Sequence, residues 1–245
     1  MESLFFAINF LTILPFEKFS RDIKEEKIKD SVLFFPVVGI LIGLLLSVIC
    51  LILRNMFSPL VLGAFIVTLL AILTGGLHLD GFVDSIDGLF GGKNKNDILR
   101  IMKDHNVGAF GVIGAVCLLM LKFAFIGSLS KDVFAKAIFI MPVLSRSSMS
   151  FILLLTPSSK SNGLGSIFAG RRKDTRWLIP ALISYLLAVL LFGVKGNFIV
   201  FFVLLFSLIM RGYFLRRIGG ITGDTMGMLN ELVEVFVLFC VEVFV

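Results

Sequence analysis

Gly75-Gly76-Leu77-His78-Leu79-Asp80-Gly81-Phe82-Val83-Asp84-Ser85-Ile86-Asp87-Gly88 follows a long apolar run directly, and it sets three carboxylates at spacings of four and three residues. On a helix that spacing puts Asp80, Asp84 and Asp87 on one face, where like charges repel. Near a membrane each is also costly to desolvate. A hard divalent cation is the simplest compensation. Mg²⁺ suits the pattern, because it takes a few carboxylates and keeps positions for water and substrate phosphates. Gly76, Gly81 and Gly88 would let a phosphate approach the backbone closely. A solvated helix end that merely favours the N-terminal dipole needs one acid, not three.

Three further strings carry residues suited to phosphate chemistry. In Lys103-Asp104-His105-Asn106-Val107-Gly108-Ala109-Phe110-Gly111, Asp104 is a candidate general base or metal ligand and Lys103 a candidate phosphate contact. The alternative is an ordinary N-cap before an apolar helix. In Gly219-Gly220-Ile221-Thr222-Gly223-Asp224, followed by Glu231 and Glu234, the acid spacings of seven and three fit one helical face. Acids inside an apolar run are functional candidates. Thr222, Gly223, Glu231 and Glu234 are read as substrate contacts and Asp224 as catalytic. The alternative is a structural pairing of the glutamates with Lys122 or Arg146. Arg146, within Ser145-Arg146-Ser147-Ser148, suits a diphosphate, or equally a structural ion pair. His78 could orient a carboxylate, contact a phosphate, or be a satisfied interfacial histidine.

The elements that must position these residues are membrane helices. The chain is 58% hydrophobic and 16% charged, where soluble domains carry about a quarter charged residues. Apolar runs at 32–53, 58–78, 107–129, 133–156, 177–194, 197–213 and 226–245 predict an all-α polytopic bundle with about six or seven transmembrane helices. Residues 4–16 are too short to span and are read as an interfacial helix. Pro36 and Pro180 sit near helix starts, whereas Pro142 is interior and is expected to kink its helix. No Pro/Ser-rich linker and no internal repeat divides the chain, so 1–245 is read as one domain.

The net charge of +6 does not indicate a nucleic-acid partner, because the cations sit in short loops between apolar runs. Cys50, Cys117 and Cys240 lie within such runs and read as small hydrophobes. Lys and Arg concentrate in alternate connections: Lys18 to Lys29, Lys93 to Lys103, Lys160 to Arg176 and Arg211 to Arg217. The others hold only Arg54, Lys131 and Lys195. The positive-inside rule makes the rich side cytoplasmic, and all the acidic strings fall there. The cluster at 170–174 reads as a topology determinant at the membrane surface.

Together these residues resemble the cobalamin synthase family (adenosylcobinamide-GDP ribazoletransferase), over nearly the whole length. The resemblance rests on Phe10-Leu11-Thr12-Ile13-Leu14-Pro15, Phe35-Pro36-Val37-Val38-Gly39, Gly75 to Gly88, Met102-Lys103-Asp104 leading to Gly108-Ala109-Phe110-Gly111, and Gly219 to Asp224 with Glu231 and Glu234. Val83 and Ser85-Ile86 stand where small residues are usual, but the acids and glycines are kept. The resemblance implies an integral inner-membrane enzyme, its site facing the cytoplasm, whose substrates are adenosylcobinamide-GDP and α-ribazole or its 5′-phosphate. GMP would leave. Asp80, Asp84 and Asp87 would hold Mg²⁺, Asp104 or Asp224 would complete a metal site or accept a proton, and Lys103 and Arg146 would bind phosphate oxygens. Homo-oligomerisation stays open. A looser echo of the CDP-alcohol phosphotransferases lies in Gly76-x-x-x-Asp80-x-x-x-Asp84, without their Ala-Arg. Another transferase of that kind, an ion-coupled transporter and a membrane scaffold are the rival readings.

Overall fold

Apolar runs that must satisfy their own backbone polar groups in lipid have one local solution, the α-helix. The computed structural model describes residues 1–14, 23–104, 106–159, 167–168 and 175–245. Among them it is helical apart from turns and one isolated parallel bridge, Ser158 to Ile221. Pro15, Lys18, Arg21, His105, Lys160 and the basic cluster at 170–174 lie outside the described residues.

The helices in order are α1 (Glu2–Leu11), α2 (Glu25–Ser31), α3 (Phe35–Leu53), α4 (Pro59–Leu73), α5 (Leu77–Gly91), α6 (Lys95–Ile101), α7 (Ala109–Ser128), α8 (Lys131–Leu155), α9 (Leu178–Phe192), α10 (Val194–Ile218) and α11 (Gly223–Phe244). Prolines open α3 and α4, where a missing N–H costs least, and the Ser58 side chain caps α4. Pro142 stands inside α8.

Among the described residues four helices are long and apolar enough to cross a membrane: the continuous Glu25–Leu53, α7, α8 and α10. The pair α4 and α5 makes a fifth if taken as one broken span. Six or seven were expected, and the difference lies in α9 and α11. At 15 residues α9 is about 22 Å long, against a hydrocarbon core of about 30 Å. The 22 residues of α11 carry Asp224, Glu231, Glu234 and Glu242. That helix is buried among α5, α7, α8 and α10, not exposed to lipid along its length.

Lipid supplies no hydrophobic force between helices, so close backbone contact has to come from small residues. The most extensive pairing, α3 on α8, does this through Gly39 and Gly43. A Cβ on Gly39 would fall 2.5 Å from Pro142 O. The oxygen of Ser47 extends the seam, donating to Ala135 O at 2.9 Å. The bend between α4 and α5, 91°, has an equally local cause. Gly75 and Gly76 take left-handed φ of 59° and 70°, and their amides return to Ile72 O and Ala71 O, both at 2.9 Å. This paired closure ends α4 and restarts the chain as α5 in a new direction.

A Cβ on Gly43 would sit 2.4 Å from Phe139 O. Gly43→Ala is therefore expected to destabilise the bundle by about 1–3 kcal/mol, read as a lower melting temperature of detergent-solubilised protein. An unchanged melting temperature would show that the α3–α8 seam is not closed as described.

Candidate active site

The acidic string is helical, so its three aspartates do share a face, but that face runs from open to closed. Asp80 is exposed, Asp84 half-buried and Asp87 buried. What lies opposite is the first turn of α11. A Cβ on Gly81 would fall 3.0 Å from both Asp224 Cα and Asp224 O. One on Gly227 would fall 2.9 Å from His78 O. Two glycines thus let α5 and α11 touch backbone to backbone, which sets the Asp224 backbone against Gly81, the residue that follows Asp80 and stands three before Asp84.

The α11 start is built by a capping box. Thr222 Oγ1 accepts from Thr225 N at 3.1 Å, and Thr225 Oγ1 accepts from Thr222 N at 2.8 Å. Thr222 Oγ1 also donates to Asp224 Oδ2 at 3.3 Å. Gly223 faces open space, with nothing within 4 Å of where a Cβ would stand. Amides at the start of a long helix, beside an uncrowded glycine, suit a phosphate oxygen. The segment before it is strapped to the end of α8: Ile221 N donates to Pro157 O at 3.1 Å and Ser159 N to Ile221 O at 2.9 Å.

Asp87 was expected among metal ligands, and the structure gives its two oxygens other partners. Oδ2 accepts from Gly108 N at 2.7 Å and Oδ1 from Gly111 N at 2.8 Å. These are amides at the start of α7 that helix geometry leaves without intrahelical acceptors. A Cβ on either glycine would collide with the carboxylate at 2.4 Å, which explains the Gly-x-x-Gly spacing. Asp87 therefore anchors α7 to α5. Asp104 does not cap α7, where Gly108 holds the N-cap position. Asp104 and Lys103 are exposed, and Asp104 Oδ1 accepts from the Asn106 amide N–H and side chain at 3.1 and 2.9 Å.

Glu231, Glu234 and Arg146 had two readings, and the geometry realises the ion-paired one. Lys122 Nζ donates at 2.6 Å to Glu231 Oε2 and at 2.6 Å to Glu234 Oε2. Arg146 Nη1 bonds Glu234 Oε1, which also accepts from Asn230 Nδ2 at 3.2 Å. Arg146 and Glu234 are 0% exposed, Lys122 2% and Glu231 6%. Two cations and two carboxylates cancel, so the group holds no uncompensated charge away from water. His78, also buried, closes the cluster toward α5. Its Nδ1 lies 3.5 Å from Arg146 Nη2, and an arginine only donates, so in that contact the ring nitrogen is the acceptor.

Two contributions were not foreseen. Arg217 Nη2 donates to Leu89 O at 2.5 Å, capping the far end of α5. Asn230 completes the Glu234 shell, and its position beside Glu231 in an apolar run was the available signal. Among the described residues no three His, Cys, Asp or Glu side chains converge into a complete ion cage.

Lys122→Met would leave two buried carboxylates with Arg146 alone. It is expected to cost roughly 3–5 kcal/mol, whereas Lys122→Met combined with Glu231→Gln restores neutrality and should recover much of it. Thermal unfolding of both variants checks this, and equal loss in the two would contradict charge cancellation. For Asp87, replacement by Asn opposes an NH₂ to one α7 amide, and a cost of about 1–3 kcal/mol is expected by the same measurement.

A family described as cobalamin-5-phosphate synthase matches residues 3–242. The chain is similar to proteins named adenosylcobinamide-GDP ribazoletransferase. One from Caldanaerobacter subterraneus subsp. tengcongensis is 34% identical over 98% of this chain and 98% of its own. One from Thermoanaerobacter sp. is 35% identical over 98% and 96%. One from Alkaliphilus metalliredigens is 37% identical over 93% and 89%. No solved structure matches the chain.

Proposed function

The chain belongs to the cobalamin-5-phosphate synthase family, and from that membership we propose that it joins adenosylcobinamide-GDP to α-ribazole, or to α-ribazole 5′-phosphate, with release of GMP. A ribose hydroxyl attacks the phosphorus on the cobinamide side of the diphosphate. A phosphorus–oxygen bond forms there, and the bond from that phosphorus to the bridging oxygen breaks. GMP leaves with the bridging oxygen, and the hydroxyl proton passes to a base. Transfer of this kind depends on positioning and charge neutralisation more than on covalent catalysis.

The observation that carries this reading is the contact of α5 with the start of α11. It supports a wall on which Asp80, Asp84 and Asp224 meet the amides around Gly223. The donor set fits a Mg²⁺ ion that arrives with a diphosphate. Mg²⁺ needs only one or two carboxylates when phosphates and water fill its other positions. Asp80 and Asp84 would hold it, and when bound it would neutralise charge on the diphosphate. We assign proton acceptance to Asp224, which shares the wall, with Asp104 as second candidate. Lys103, exposed near that loop, would meet a phosphate oxygen. Asp87 and the Lys122–Glu234–Arg146 cluster hold the helices that carry these groups. The asymmetry of loop charge supports a cytoplasmic membrane location with this wall toward the cytoplasm.

Purified protein incubated with adenosylcobinamide-GDP, α-ribazole and Mg²⁺ should release GMP, and chelation with EDTA should stop it. Asp80→Ala should lower the rate at least a hundredfold, the order reached when a transition-state charge partner is removed, with its melting temperature preserved. Near-normal turnover in Asp80→Ala would remove Asp80 from the site. Turnover in EDTA would remove the metal. No GMP, under conditions where a relative is active, would overturn the transferase reading.

A further inference from the structure

At the end of the bundle remote from the bend, four helix termini surround a cavity of about 370 Å³. The ends of α3 and α7 and the starts of α4 and α8 meet there. The 15 residues of α4 separate it from the Gly75–Gly76 bend by about 22 Å, so it is no part of the acidic wall. Its floor is apolar, with Cys50, Leu62 and Phe134 buried. Its rim carries two cations, Arg54 and Lys131, both exposed and neither ion-paired among the described residues.

Neither carboxylate near these termini, Asp132 or Glu242, is ion-paired with them among the described residues. Asp132 does not line the cavity, and Glu242 accepts from Ser128 Oγ at 3.1 Å. The starts of α4 and α8 bring the positive ends of two helix dipoles, while Arg54 follows the negative end of α3. A continuous apolar track leads away. Leu41, Leu44, Leu45, Val48, Leu51 and Ile52 are all exposed on α3, at spacings that keep them on one face. Leu51 itself lines the cavity.

An anionic head over a long apolar tail matches this arrangement of charge and surface. We infer that the cavity binds one anionic phospholipid, with its phosphate between Arg54 and Lys131 and an acyl chain along the exposed face of α3. Each Lys or Arg close to an anionic headgroup is worth about a fivefold change in binding. The site goes beyond the transfer reaction and does not depend on it.

Native mass spectrometry of the full chain, released from micelles doped equally with dioleoyl-phosphatidylglycerol and dioleoyl-phosphatidylcholine, tests it. One phosphatidylglycerol should be retained in preference. Arg54→Gln with Lys131→Gln, both exposed, should lower retention by about twenty-five-fold, the product of two such losses, without changing the oligomer or melting temperature in lipid-free detergent. Ala135→Leu, which keeps both charges but narrows the cavity, should lower it too. Equal retention of the two lipids, or unchanged retention in the double variant, would overturn the site. So would equal thermal stabilisation by inorganic phosphate, which would indicate an anion site without the lipid tail.

Discussion

Carboxylates on two helices can address one substrate only if the helix backbones come within reach of each other. In lipid, nothing apolar drives them together, so side-chain bulk sets the distance. Here the limit is removed at two positions, Gly81 on α5 and Gly227 on α11. A Cβ at either would press on the backbone opposite, at 3.0 and 2.9 Å. That contact lays the first turn of α11, with Asp224, against the turn of α5 that runs from His78 to Gly81. It also explains why α11 remains at the centre of the bundle despite its four acids.

The acids then divide by what their surroundings provide. Asp80 is open, and Asp84 half so. Asp87 is buried but faces two amides that need acceptors, so its charge is held by hydrogen bonds. Glu231 and Glu234 are deeper still and meet two cations that cancel them. A pair of buried charges is seldom a gain in stability over apolar packing. Its retention here is consistent with a fixed arrangement of α7, α8 and α11, in which moving any one helix would strand a charge. Around this, Arg217 at the end of α5 and the 157–159 strap at the start of α11 hold the outer ends of the same two helices.

Local features were legible in the chain. The apolar runs are helices, Pro36 and Ser58 mark starts, and the four-and-three spacing of Asp80, Asp84 and Asp87 does lie on one helical face. The family resemblance, which named the substrates, agrees with the match over residues 3–242. The span count was less legible, because a run such as 177–194 looks apolar enough while its helix ends after 15 residues. The pairing of Lys122 with the glutamates was visible only as one of two options.

The sequence by itself determined which segments are helical, where acids recur along them, and where glycines permit a turn or a close approach, since these depend on residues within a few turns of one another. Tertiary structure decided what each acid does. Asp87 meets amides 21 and 24 positions away, and Lys122 meets Glu231 across 109. A carboxylate's role follows from the donors that packing brings to it, and over such separations those donors are set by how the helices cross.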